Sequence, residues 1–142
     1  VYPGEYVDPP TEWDPTSQSL VICGEPGLGK SQWAFNWAIK NHGSYFKATE
    51  YLGIAAYAGE PVIIFDDAAD SLNKESKDVW RDLFDVEGSV DFRRLHGVTK
   101  VKAGVVRIFL HNGDLEPVDY KERLVRRHFN WEVSSKMFIS SK

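Results

Sequence analysis

Short, nearly continuous apolar runs punctuate this chain at Leu20–Cys23, Val62–Phe65 and Val105–Leu110. Runs of that length, bounded by turn residues, predict strands buried on both faces. Tyr45–Ala48 and Phe129–Val133 are weaker candidates of the same kind. Between them the spacing changes. From Lys30 to Asn41 the residues Trp33, Ala34, Trp37 and Ala38 fall on one helical face, and Gly43 supplies a stop. Trp33 and Trp37, one turn apart, read as core and not as a base-stacking platform. A second helix is predicted over Asn73–Val86, with Val79, Trp80, Leu83 and Phe84 inward, and a third over Tyr120–His128. Ser89–Leu95 and Val98–Lys102, joined at His96-Gly97, predict a β-hairpin. Strands that alternate with helices and carry continuous apolar runs imply an α/β fold, a parallel sheet flanked by helices.

The first 18 residues break this rhythm. Pro3, Pro9, Pro10 and Pro15 stand among acids and aromatics, so residues 1–18 read as a leader or linker, docked through Tyr2, Tyr6 or Trp13. Residues 19–142 then form one domain, a size that can build a core from 42% apolar residues. No apolar run approaches the roughly 20 residues of a membrane span, so no membrane partner is expected. Cys23 is the single cysteine, which excludes an internal disulfide and a cysteine-rich zinc site and points to a reducing compartment. With no general base beside it, Cys23 reads as a small buried residue and not as a nucleophile.

Charge changes the picture more than composition does. The net charge of −4 hides two halves: residues 1–91 hold 16 acids and 6 bases, residues 92–142 hold 5 acids and 11 bases. From Phe92 to Gly113 there is no acid, while Arg93, Arg94, Lys100, Lys102 and Arg107 all fall there. This asymmetry suggests a polyanion met by one face.

Gly24-Glu25-Pro26-Gly27-Leu28-Gly29-Lys30-Ser31 fits G-x-x-x-x-G-K-[ST], the Walker A or P-loop pattern, between a predicted strand and a predicted helix. Glycines at this spacing let backbone N–H groups turn inward on phosphate oxygens. Lys30 would reach the β- and γ-phosphates of ATP, and Ser31 would put its hydroxyl on Mg²⁺. Val62–Phe65 runs into Asp66-Asp67, a Walker B pattern in which Asp66 serves Mg²⁺ and Asp67 orients the attacking water. Such a pair also caps helices; the upstream glycine loop favours the catalytic reading. Asn112 ends the next strand, where a polar side chain can sense the γ-phosphate, although Asn112-Gly113 is also a good turn dipeptide.

In that order these features resemble the superfamily 3 helicase domain of the AAA+ group. The likeness is greatest to Rep replication initiators of circular single-stranded DNA viruses, the geminivirus-like ones above all. It is carried by SLVICGEPGLGKSQW (Ser19–Trp33) and KAGVVRIFLHN (Lys102–Asn112), and extends over about residues 19–133. The family has two glycines at the end of its hairpin; here the first is Ala103 and the second Gly104. The resemblance implies an ATP-driven motor working as a homo-oligomeric, hexameric ring on single-stranded DNA, in the host nucleus. It implies DNA contact by His96, Lys100 and Lys102, and an arginine finger at Arg126 or Arg127 that enters a neighbour's ATP site. The family's nicking domain carries a His-hydrophobic-His pair, which His42, His96, His111 and His128 do not form, so the chain reads as an excised ATPase domain. An RNA-directed superfamily 3 ATPase, a P-loop small-molecule kinase and a nucleotide-gated assembly module remain open beside this reading.

Overall fold

The structure, a computed structural model, describes residues 5–113 and 127–140. Its centre is a five-stranded parallel sheet made of β2 (Ser19–Gly24), β3 (Phe46–Ala48), β4 (Val62–Asp66), β7 (Val106–His111) and β8 (His128–Val133). The order across it is β3-β4-β7-β2-β8. The fold is α/β.

Alternation along the strands divides the core into two layers. Leu20 and Ile22, Val62 and Ile64, and Val106, Ile108 and Leu110 face helix α1 (Lys30–His42), where Trp33, Ala34 and Ala38 meet them. Val21, Ile63, Phe65 and Phe109 face the other way, onto Tyr51, Trp80, Leu83 and Phe84. Trp33 is therefore core, as its spacing predicted, and Trp37 packs half-buried beside it at a ring separation of 6.4 Å. Gly43 ends α1 in the left-handed conformation.

The second layer is built differently from the helix predicted over Asn73–Val86. A short helix α2 (Ala69–Leu72) stops at Asn73, and α3 runs from Lys77 to Phe84. Ser76 breaks the pattern: its hydroxyl accepts from the Val79 N–H and so caps a new helix start. A 3-10 turn over Tyr51–Ala56 leads into the β4 side of this layer. The predicted hairpin forms as β5 (Val90–Arg94) and β6 (Gly97–Val101), a separate two-stranded sheet. Arg94 pairs with Gly97, which places the turn on Leu95-His96, one residue before the expected His96-Gly97.

Arg107 departs most from its expected place. The acid-free run groups it with the basic face, yet it is fully buried on β7, among the second layer's aromatics. Its guanidinium donates to the carbonyls of Asp82 (3.1 Å), Leu83 (3.3 Å) and Asp85, and so closes the C-terminal end of α3. Burial pushes its pKa down to about 10 against the pull of Asp85, Tyr57 and Asp82, leaving it charged at neutral pH.

The leader packs on the domain. β1 (Glu5–Tyr6) pairs antiparallel with β9 (Phe138–Ser140), Trp13 is buried, and Trp33 donates through Nε1 to the Val7 carbonyl. Of the helix expected over Tyr120–His128, residues up to 126 lie outside the described residues. Arg127 is in a turn and His128 already opens β8. Among the described residues no helix is long and apolar enough to cross a membrane.

Candidate functional site

Three neighbouring strands, β4, β7 and β2, end on the same edge of the sheet, because all run parallel. Connections leave that edge in opposite directions: β2 leads through α1 toward β3 at one side, whereas β7 precedes β8 at the other. Such a switch point opens a crevice at the carboxyl ends of the strands. A cavity of about 440 Å³ lies there, lined by the loop between β2 and α1, by Asp66 and Asp67 at the end of β4, and by His111 and Asn112 at the end of β7.

The loop owes its shape to its glycines. Gly27 and Gly29 both have φ of +87°, a left-handed backbone that other residues adopt only with strain. Gly24 is needed for a different reason: a Cβ there would lie 2.6 Å from the Val133 carbonyl of β8. Gly29 also occupies the cap position of α1, where it has no side chain to offer the first-turn amides.

Lys30 opens α1 and turns inward. Its ammonium donates to the carbonyls of Gly24 (2.7 Å) and Glu25 (2.8 Å) and to Asn112 Oδ1 (3.1 Å). Burial lowers its pKa, partly offset by the negative potential of Cys23 and Asp66. Ser31 donates its hydroxyl to Asp66 Oδ1 at 3.0 Å. Asp67 has φ of +54° and is the one described non-glycine residue in the left-handed region, a conformation that aspartate tolerates better than most. Its backbone N–H reaches the Leu110 carbonyl of β7 at 3.4 Å.

The structure thus gathers Pro26, Gly27, Gly29, Lys30, Ser31, Asp66, Asp67 and Asn112 around one cavity; Gly24, Glu25 and Leu28 complete the loop behind them. Ser31 and Asp66 present hard oxygen donors side by side, a set suited to Mg²⁺ when water and phosphate supply the remaining ligands. Among the described residues no three His, Cys, Asp or Glu side chains cluster as a metal site of their own.

Sequence reasoning missed four residues here. Gln32, His111 and Phe138 line the cavity, and Lys47 of β3 lies 3.8 Å from Asp66 Oδ2. Lys47 left a faint signal, a single cation in the strand candidate Tyr45–Ala48, but its place beside Asp66 comes from the pairing of β3 with β4. Phe138 left none.

The basic elements fall elsewhere. Lys100 and Lys102 line a second cavity of about 390 Å³ with Arg94 and Tyr57, between the hairpin and the segment after the 3-10 turn. Lys100 also pairs across the hairpin with Asp91 at 3.7 Å. His96 stands exposed at the hairpin tip beside Leu95. Gly104 ends the hairpin with φ of +87° and donates its N–H to the Val86 carbonyl at 2.7 Å. Arg127 lies at the opposite end of the sheet from the glycine loop, paired with Asp85 at 3.1 Å. Arg126 lies outside the described residues.

Compared with known proteins, the chain matches no family model and no curated protein.

Proposed function

We propose that this chain is an ATP-hydrolysing motor domain of the P-loop, AAA+-like kind, acting on single-stranded DNA as a superfamily 3 helicase of a viral Rep-like initiator. The observation that carries the reading is the convergence of Lys30, Ser31, Asp66, Asp67 and Asn112 on one cavity at the switch point of a parallel sheet. In it the glycine loop wraps the triphosphate, and Lys30 exchanges its carbonyl partners for β- and γ-phosphate oxygens. Ser31 and Asp66 would hold Mg²⁺, whose charge would offset that of the phosphates. Asp67 accepts a proton from the attacking water and orients it. Asn112, bonded to Lys30 at rest, contacts the γ-phosphate and that water.

The resemblance adds what the cavity alone does not: assembly into a homo-oligomeric ring in the host nucleus, single-stranded DNA gripped by His96, Lys100 and Lys102, and a finger at Arg126 or Arg127. DNA contact of this kind is electrostatic and indifferent to sequence. The test is release of free phosphate from ATP as a function of protein concentration, with and without single-stranded DNA. Specific activity should rise with concentration and rise further with DNA. Stimulation by single-stranded RNA alone would move the chain to the RNA-directed relatives. Phosphate transfer only to an added small molecule would make it a kinase.

A further inference from the structure

The cavity is largely polar and has one exposed phenyl wall. Of its lining residues, Lys30, Ser31, Asp66, Asp67 and Asn112 suit phosphates and a cation; two rings join them, the His111 imidazole, which is buried and accepts from the Gly113 N–H, and the Phe138 phenyl, which is the exposed one. Phe138 is 38% exposed, and its ring lies against the loop: a Cβ on Gly29 would sit 4.0 Å from Phe138 Cδ1.

Two tethers hold the backbone that carries that ring. The preceding Met137 is buried, and its N–H donates to the Leu28 carbonyl of the glycine loop at 2.9 Å. The Met137 carbonyl accepts from the Val7 N–H at 2.7 Å, and Tyr6 pairs with Phe138 in the β1–β9 ladder. The glycine loop, the leader and the C-terminal strand are therefore stitched together at the cavity rim. Lys136 Nζ lies 5.7 Å from the ring centroid, at the outer edge of cation–π range, where an exposed cation yields at little cost.

We propose that Phe138 is the stacking wall for the nucleobase of the bound nucleotide, and that the leader strand Glu5–Tyr6 is part of the nucleotide site because it holds this wall. The proposal rests on the nucleotide reading above and adds to it the residue that recognises the base. Flat π-surfaces stack on any base, so Phe138 contributes affinity for a nucleoside as against bare phosphate.

Calorimetry with two probes, ATP and inorganic tripolyphosphate, each with Mg²⁺, separates the ends of the cavity. Phe138→Ala should weaken ATP binding by about tenfold or more and leave tripolyphosphate binding unchanged. Phe138→Trp should bind ATP as the unaltered protein does, and its added indole fluorescence should be quenched by ATP but not by tripolyphosphate. Equal ATP affinity in Phe138→Ala and the unaltered protein would overturn the proposal. So would an equal loss for both probes, which would make the ring a prop for the loop. Failure of the unaltered protein to bind either probe would instead overturn the nucleotide reading itself.

Discussion

Lys30 Nζ donates to Asn112 Oδ1 at 3.1 Å, joining residues 82 positions apart in the chain. With the two loop carbonyls, this bond occupies all three ammonium donors, so a phosphate can engage Lys30 only by displacing one of them. Removing either partner should therefore act on a different step. Lys30→Ala should weaken ATP binding by at least about tenfold in calorimetry, the worth of one charge-assisted contact. Asn112→Ala should retain ATP binding and lose roughly 10²-fold in steady-state hydrolysis. Tight ATP binding by Lys30→Ala would contradict the assignment of the cradle.

Asp67 offers a cleaner separation of backbone from chemistry. Its φ of +54° suits Asn and Asp but strains Ala. Asp67→Asn should keep the melting temperature and Mg·ATP affinity while hydrolysis falls by roughly 10²-fold, as for a lost base. Asp67→Ala should lose the same activity and, in addition, about 1 kcal/mol of stability by denaturant titration. A fully active Asp67→Asn would move the water-orienting role to another residue.

How far these residues could be found in advance depended on whether their signal was local. The glycine loop, the strand ending in Asp66-Asp67 and the strand ending in Asn112 each lie within a few residues of their own apolar run. The strand pair β1–β9 is of another kind. Two residues, Glu5-Tyr6, meet Phe138–Ser140 across almost the whole chain, and neither segment is long enough to show a period. Phe138 was invisible for that reason. Arg107 did carry a signal: a charge inside a run predicted to be buried on both faces has nowhere exposed to go. Charge alone assigns Arg107 to the surface; its place in the strand assigns it to the interior, where it lies. The helix start at Ser76 was likewise a local cap that the longer apolar pattern overrode.

The hairpin lysines differ in how free they are to meet a polyanion. Both line the groove with Arg94, but Lys100 also pairs with Asp91 at 3.7 Å. Lys100→Ala with Lys102→Ala should weaken single-stranded DNA binding about equally for all sequences. It should also reduce the slope of log affinity against log salt by about 1.4, the value for two phosphate contacts. Asp91→Asn should act in the opposite direction and tighten binding, since it releases Lys100 and removes a repelling charge. Fluorescence anisotropy over a salt series measures both. An unchanged slope in the double variant would return these lysines to the solvated surface.

The same hairpin is anchored by a buried phenol. Tyr51 donates its hydroxyl to the Arg93 carbonyl at 3.0 Å and packs edge-on against Phe92. Burial, with Glu75 and Asp82 nearby, pushes its pKa up from 10 to about 12, partly offset by Arg94. A phenol that holds its proton more tightly when folded stabilises fully below pH 10 and loses that contribution as pH rises through 12. Between those values the folded protein should lose about 2–3 kcal/mol relative to Tyr51→Phe, which has no proton to release. Parallel denaturant titrations at pH 9 and about pH 11.5 test this, and parallel pH dependence in the two proteins would rule it out.

Arg127, in the proposed finger role, would be a link between assembly and catalysis. It sits at the far end of the sheet from its own glycine loop, so any contact with a triphosphate must be made to a neighbouring subunit's. Its bond to Asp85 does not forbid this. The pair is partly exposed, with Arg127 at 41%, and half-exposed pairs of this kind contribute under about 1 kcal/mol. Arg127→Ala should therefore fold and bind ATP. If Arg127 is the finger, hydrolysis should fall by about 10³-fold, since a guanidinium supplied in trans stabilises the charge of the transferring phosphoryl group. Mixing Arg127→Ala with Lys30→Ala should then restore activity, because a mixed interface can unite an intact glycine loop with an intact arginine. Asp85→Asn should leave this complementation in place, because Asp85 holds Arg127 only within its own subunit. Complementation that never appears, although mixed oligomers are seen by light scattering or cross-linking, would leave Arg127 as the partner of Asp85 alone and pass the role to Arg126.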